Sequence, residues 1–115
     1  MKEGDIVLTP VPQADGSIKN RPAILLREFP GYRDFLVCGV STQLRQEVKG
    51  FDEIILASDL DFASSGLRSD SLIRLGFLAM LPHGKIAGSI GSISSDRHKK
   101  LLKTLAEYLT KGVSN

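Results

Sequence analysis

The chain has 115 residues, the length of one domain, and its 42% hydrophobic and 24% charged residues suit a folded globular protein and exclude intrinsic disorder. The net charge of +2 is too small to imply nucleic-acid binding by itself. The cationic surplus gathers at the end of the chain, where Arg97, Lys99, Lys100, Lys103 and Lys111 face only Asp96 and Glu107, as on a solvated helix face or an RNA-contacting patch. Apolar runs such as 54–57 and 78–81 fall far short of the roughly 20 residues that span a bilayer. The start, with Lys2, Glu3 and Asp5, has no apolar secretory core, so a cytoplasmic address is expected.

In chain order, the first 90 residues read as short β-strands between Gly, Pro, Asp and Ser clusters, at 5–8, 23–27, 35–41, 53–56, 71–75 and 86–90. Several of these are continuous apolar runs, which fits a small closed barrel whose strands meet core on one face and a helix, a loop or a second subunit on the other. Residues 10–20, with Pro10, Pro12 and the turn signal Asp15-Gly16, read as a long loop, either a binding loop or a tolerated excursion. The end of the chain reads as a helix. Leu101, Leu102, Leu105 and Leu109 recur on one face, Ser94 or Ser95 can cap its start, Asp96 lies in its first turn and Gly112 can end it. Such a helix would pack across the barrel.

The lone Cys38 allows no internal disulfide or thiolate metal site, and within 35–40 it reads as a buried thiol. There is no Walker loop, no dinucleotide fingerprint and no metalloprotease motif, so neither cofactor nor metal is expected. His83, in a Pro-His-Gly-Lys turn, and His98, in the basic helix, read as solvated histidines.

Two polar clusters remain. Lys19-Asn20-Arg21-Pro22 closes the 10–20 segment, and Pro22 biases Arg21 toward an extended backbone. Ser41-Thr42-Gln43 ends the apolar strand 35–41. Antiparallel neighbours would bring Arg21 beside Ser41, and an arginine next to a hydroxyl and an amide is a phosphate-recognition constellation. Taken by itself, a structural arginine and a strand-ending turn is the plainer reading.

Gly4-Asp5-Ile6-Val7, Arg21-Pro22-Ala23-Ile24-Leu25, Val40-Ser41-Thr42-Gln43, the strand from Asp70 to Leu75 and the closing helix together resemble the PemK/MazF family of toxins from type II toxin–antitoxin modules, over nearly the whole chain as one domain. The Gly-Asp opening followed by Arg-Pro is the most specific part. The resemblance implies a mainly β, SH3-like barrel with a C-terminal amphipathic helix, a homodimer, and a metal-independent endoribonuclease that cuts single-stranded RNA. In that chemistry the ribose 2′-OH attacks the adjacent phosphorus and leaves 2′,3′-cyclic phosphate and 5′-OH ends. It also implies a cognate antitoxin protein, whose complex with the toxin binds DNA.

Carried over by position, the resemblance gives Arg21 to the phosphate, because an arginine with a pKa above about 12 is a poor proton donor. Ser41, at a position usually Thr, with Thr42 as its possible substitute, would donate to a non-bridging oxygen. Lys19, Gln43, Arg45 and Arg74 would contact RNA. The 10–20 segment and 44–51, with Arg45 and Lys49, would border the groove, with Phe51 and Tyr32 as the exposed aromatics available for stacking. One departure stands out: Gly76 occupies the family's acidic position, so no general base is identified, and Asp70 is a weak substitute. Two other readings follow, a non-catalytic RNA- or antitoxin-binding module and a gyrase-binding toxin like the related CcdB family. The latter relies on a terminal Trp, and this chain has no Trp.

Overall fold

In the computed structural model, which describes residues 1–12 and 14–113, six strands form one antiparallel sheet. They are β1 (Asp5–Pro12), β2 (Ile18–Glu28), β3 (Phe35–Ser41), β4 (Glu53–Ile55), β5 (Ser71–Leu81) and β6 (Gly88–Ser92). Their order across the sheet is β4-β5-β3-β2-β1-β6. The short helix α1 (Phe62–Ser65) lies between β4 and β5, and α2 (Ser95–Thr110) ends the fold. Among the described residues no helix is long and apolar enough to cross a membrane.

The sheet curls into a half-barrel with β4 and β6 as its edges, the mainly β, barrel-like fold with a C-terminal helix that the sequence leads one to expect. Helix α1 packs against β6. Gly66, at φ 74°, ends α1 in the left-handed region that a glycine adopts without strain. A Cβ on Gly66 would collide with the Ile90 carbonyl oxygen, and one on Gly91 with the Ser64 carbonyl oxygen. Two glycines thus let α1 lie directly on β6.

Apolar residues bury on both faces of the sheet. One face carries the larger core, in which Ile6, Ile24, Leu26, Cys38, Val40, Ile55, Ile73 and Leu75 meet Leu101 and Leu105 of α2. The other holds Val7, Ala23, Leu25, Phe35 and Val37 under Leu81 and Ile86. This two-sided burial accounts for strands that read as unbroken apolar runs rather than as alternation. Cys38 is fully buried, and burial pushes its thiol pKa up to about 12, an inert small hydrophobe.

The 10–20 segment is not a long loop. Pro10 pairs with Asn20, Val11 with Lys19 and Pro12 with Ile18, so β1 and β2 continue as a hairpin, with residues 14–17 at its tip. The prolines are tolerated for a geometric reason. The Leu8 carbonyl accepts from the Ala87 N–H on the β6 side, and backbone groups two and four residues on point the same way. Strand β6 pairs with β1 only over Asp5–Leu8, so at Pro10 and Pro12 the missing N–H groups fall on an open edge.

Helix α2 begins as its sequence indicates, with the Ser94 hydroxyl accepting from the Arg97 N–H at 3.1 Å. Arg97, counted from sequence with the basic face, is turned inward. Its Nε donates to Asp61 Oδ2 at 2.8 Å, Nη2 to Asp59 at 3.1 Å and Nη1 to Glu53 Oε1 at 3.0 Å. The Asp61 carboxylate also accepts from the Ser94 N–H, and the hydrogen bond from Arg97 holds its pKa below the usual carboxylate value. His98 is likewise half-buried rather than solvated, with Nε2 at 2.8 Å from the Leu26 carbonyl. A carbonyl only accepts, so that nitrogen carries a proton.

Candidate nucleic-acid groove

A groove of about 990 Å³ opens between the β1–β2 hairpin and the middle of the sheet. Thr9, Pro10, Pro12 and Arg21 form one wall, Val37, Gly39 and Ser41 of β3 the floor, and Arg74, Phe77 and Ala79 of β5 the other wall, with Arg68 and Ser69 at one end.

The strand register brings the two predicted polar clusters together. The β2–β3 ladder runs out at Ala23 opposite Gly39, and two residues further along each strand stand Arg21 and Ser41, both lining the groove. Thr42 and Gln43 follow on the same rim. The Ser41 hydroxyl accepts from the Gln43 N–H at 3.0 Å. That contact uses one lone pair and leaves the O–H proton for another acceptor. Arg74 also lines the groove, with its guanidinium carbon 5.0 Å from the centre of the Phe77 ring, a cation–π contact.

Two of the predicted residues lie elsewhere. Lys19, opposite Val11 in the hairpin, and Arg45, in the 3₁₀ turn Leu44–Gln46, are exposed and are not among the groove-lining residues. No residue of α2 lines the groove either. Asp70 is occupied structurally, its Oδ1 accepting from the Ala57 N–H at 2.7 Å. The described lining contains arginines and hydroxyls but no carboxylate and no imidazole, and no His, Cys, Asp or Glu cluster suited to a metal occurs among the described residues.

Sequence reasoning missed Phe77 and Arg68. Phe77 sits in a wide irregularity of β5. Gly39 pairs with Arg74, yet the next β3 residue, Cys38, pairs with Leu78, so Leu75, Gly76 and Phe77 face no β3 residue. The Leu75 N–H released by this bulge donates to Asp52 Oδ1 at 3.0 Å, while Asp52 Oδ2 accepts from the Val48 N–H at 2.9 Å. A glycine inside an apolar strand is a bulge signal, and a bulge re-aims its neighbours; Gly76 was the available clue. Arg68 lies in the turn between α1 and β5, where nothing local marks it.

A curled antiparallel half-barrel with one C-terminal helix carries, on one face, a groove rimmed by arginines and hydroxyls. The chain belongs to the PemK-like, MazF-like toxin family of type II toxin–antitoxin systems, whose family model matches residues 2–109. Among solved structures, the Mycobacterium tuberculosis toxin MazF-mt6 is similar, with a TM-score of 0.62 and 20% sequence identity over 91% of this chain and 95% of that one. At that identity the likeness bears on the fold. No curated protein matches the sequence.

Proposed function

We propose that this toxin is a metal-independent endoribonuclease acting in the cytoplasm on single-stranded RNA. The observation that carries the reading is the convergence of Arg21, Ser41, Thr42, Gln43 and Arg74 on one groove. In the proposed reaction the ribose 2′-oxygen bonds to the adjacent phosphorus as the bond from phosphorus to the 5′-oxygen breaks. The 2′-hydroxyl proton leaves to a base, and the departing oxygen takes up a proton. The products carry a 2′,3′-cyclic phosphate and a 5′-OH. The nucleophile belongs to the substrate, so the protein's task is alignment and charge stabilisation. Arg21 binds the scissile phosphate, and Ser41, with Thr42 beside it, donates to a non-bridging oxygen. Gln43 and Arg74 hold the flanking strand, and Lys19 and Arg45 meet RNA that extends past the groove.

The working form is a homodimer, and the cognate antitoxin is the protein that silences it. The chain acts as one domain. Incubating the protein with RNA in EDTA tests the chemistry: cleavage persists, and it disappears at a site whose ribose is replaced by 2′-deoxyribose. Undiminished cutting of the deoxy site would overturn the mechanism. A second reading, a non-catalytic RNA- or antitoxin-binding module, is favoured by Gly76 at the family's acidic position and by the lack of a carboxylate in the described lining. RNA binding without cleavage in the same assay would select it.

A further inference from the structure

We propose that Phe77, with the Arg74 guanidinium over its ring, is a stacking platform for one unpaired nucleobase of the bound strand. The inference rests on the RNA reading above and adds a second kind of contact to the groove.

A phenylalanine has no polar tip and gains by burial, yet Phe77 is 53% exposed and belongs to neither core cluster. It is presented on purpose-built backbone: the bulge of residues 75–77 lifts it off the β3–β5 ladder and into the groove. Its position is then fixed from below. The ring lies so close over Gly39 that a Cβ there would stand 3.0 Å from Cδ1, a contact for which any larger residue would have to displace the ring. Over the ring, Arg74 holds it through the cation–π contact at 5.0 Å, so that ring and guanidinium form one stack.

The surroundings decide which ligand gains from such a surface. Three arginines, Arg21, Arg68 and Arg74, line the same groove without a carboxylate among its described residues, so the occupant carries repeated negative charge. A half-exposed ring with a guanidinium over it rewards a ligand with a π-face, since aromatic rings and arginine planes both stack on unpaired bases. Single-stranded RNA combines the two: phosphates for Arg21 and Arg68, and a base for Phe77 and Arg74. Because every base has a π-face, the platform strengthens binding at one nucleotide position without selecting a particular sequence.

The test uses fluorescein-labelled random-sequence ten-nucleotide RNA with 2′-fluoro sugars, which binds but cannot be cut, with affinity read by fluorescence anisotropy across a salt series. Phe77→Leu, a non-aromatic change at an exposed position, should weaken binding about tenfold at every salt concentration. It should leave the slope of log affinity against log salt unchanged, because no charge is lost. Phe77→Tyr and Phe77→Trp should retain affinity, whereas Arg21→Ala should flatten the slope. Irradiating the wild type with 5-iodouracil-substituted RNA should place a cross-link on Phe77. Wild-type affinity in Phe77→Leu, or cross-links confined to other residues, overturns the platform and leaves the nuclease reading standing. If Phe77→Leu instead weakens only antitoxin capture, the ring is a seat for a peptide and the inference is wrong. Absence of RNA binding by the wild type overturns both readings.

Discussion

Arg21 and Ser41 are the residues on which the proposed chemistry turns, and their roles can be separated by the shape of each side chain. Removing the Arg21 guanidinium should slow cleavage by roughly 100-fold or more, the scale of losing one preorganised donor to developing charge. Arg21→Lys should restore little, since a point charge does not reproduce a planar, two-pronged contact. Ser41→Ala should lower kcat, and Ser41→Thr should keep it, because only the hydroxyl is used. Single-turnover cleavage of one RNA by the four variants checks all of this; full activity in Arg21→Ala would remove the assignment. That the two residues would come together was legible in the sequence, from an arginine stiffened by Pro22 and a hydroxyl where an apolar strand stops, while their proposed roles rest on the family resemblance. Phe77 was not, because what brings it into the groove is the offset between Cys38–Leu78 and Gly39–Arg74 pairing, a property of two strands rather than of one.

At the scale of elements, α2 is held to the sheet by more than its leucines. Arg97, with a side chain only 15% exposed, ties the helix start to Glu53 at the head of β4 and to Asp59 and Asp61 before α1. Arg97→Ala leaves those carboxylates facing one another without their shared cation, and should destabilise the fold by about 3 kcal/mol, the cost of breaking a buried pair from one side. Thermal unfolding should show a drop of about 10 °C or more. The same cluster sets an acid limit. The folded-state pKa of Asp61 lies below its unfolded value, so its contribution is fully present above about pH 4 and is lost as the pH falls through the depressed value. Asp61→Asn should therefore lower the urea midpoint at pH 7, with the gap to wild type narrowing toward pH 3; a gap independent of pH would contradict this. Element boundaries were readable where chemistry announces them, as at Ser94 for α2 and at both ends of β3. They were misread at Pro10 and Pro12, because a proline breaks a strand only where its N–H is needed. Helix α1, four residues long, is too short to show a period.

For the whole molecule, the half-barrel leaves apolar side chains in water, among them Leu78 and Met80 of β5 and Tyr108 and Leu109 of α2. One helix does not cover what the strands expose, and two-fold pairing is the commonest way to bury such a surface. Light scattering at micromolar concentration should report twice the chain mass; a monomer would count against the dimer. The mainly β class, the C-terminal helix and the order of elements followed from apolar runs and turn residues. The packing of α1 on β6 did not, since a four-residue helix and a three-residue β4 have no signature along the chain.

The two prolines of β1 also decide how this protein can be approached by another polypeptide. An open sheet edge is normally a template for strand addition, by a partner or by another copy in aggregation. Beyond Leu8 the outward-facing donors are missing at Pro10 and Pro12, so a chain laid along that margin finds carbonyls but no alternate amides, and cannot zip onto the sheet. The wall of the groove thereby stays a wall: an extended peptide must engage this toxin through side chains or along a different margin, while a nucleic acid, which asks nothing of backbone amides in register, is not deterred.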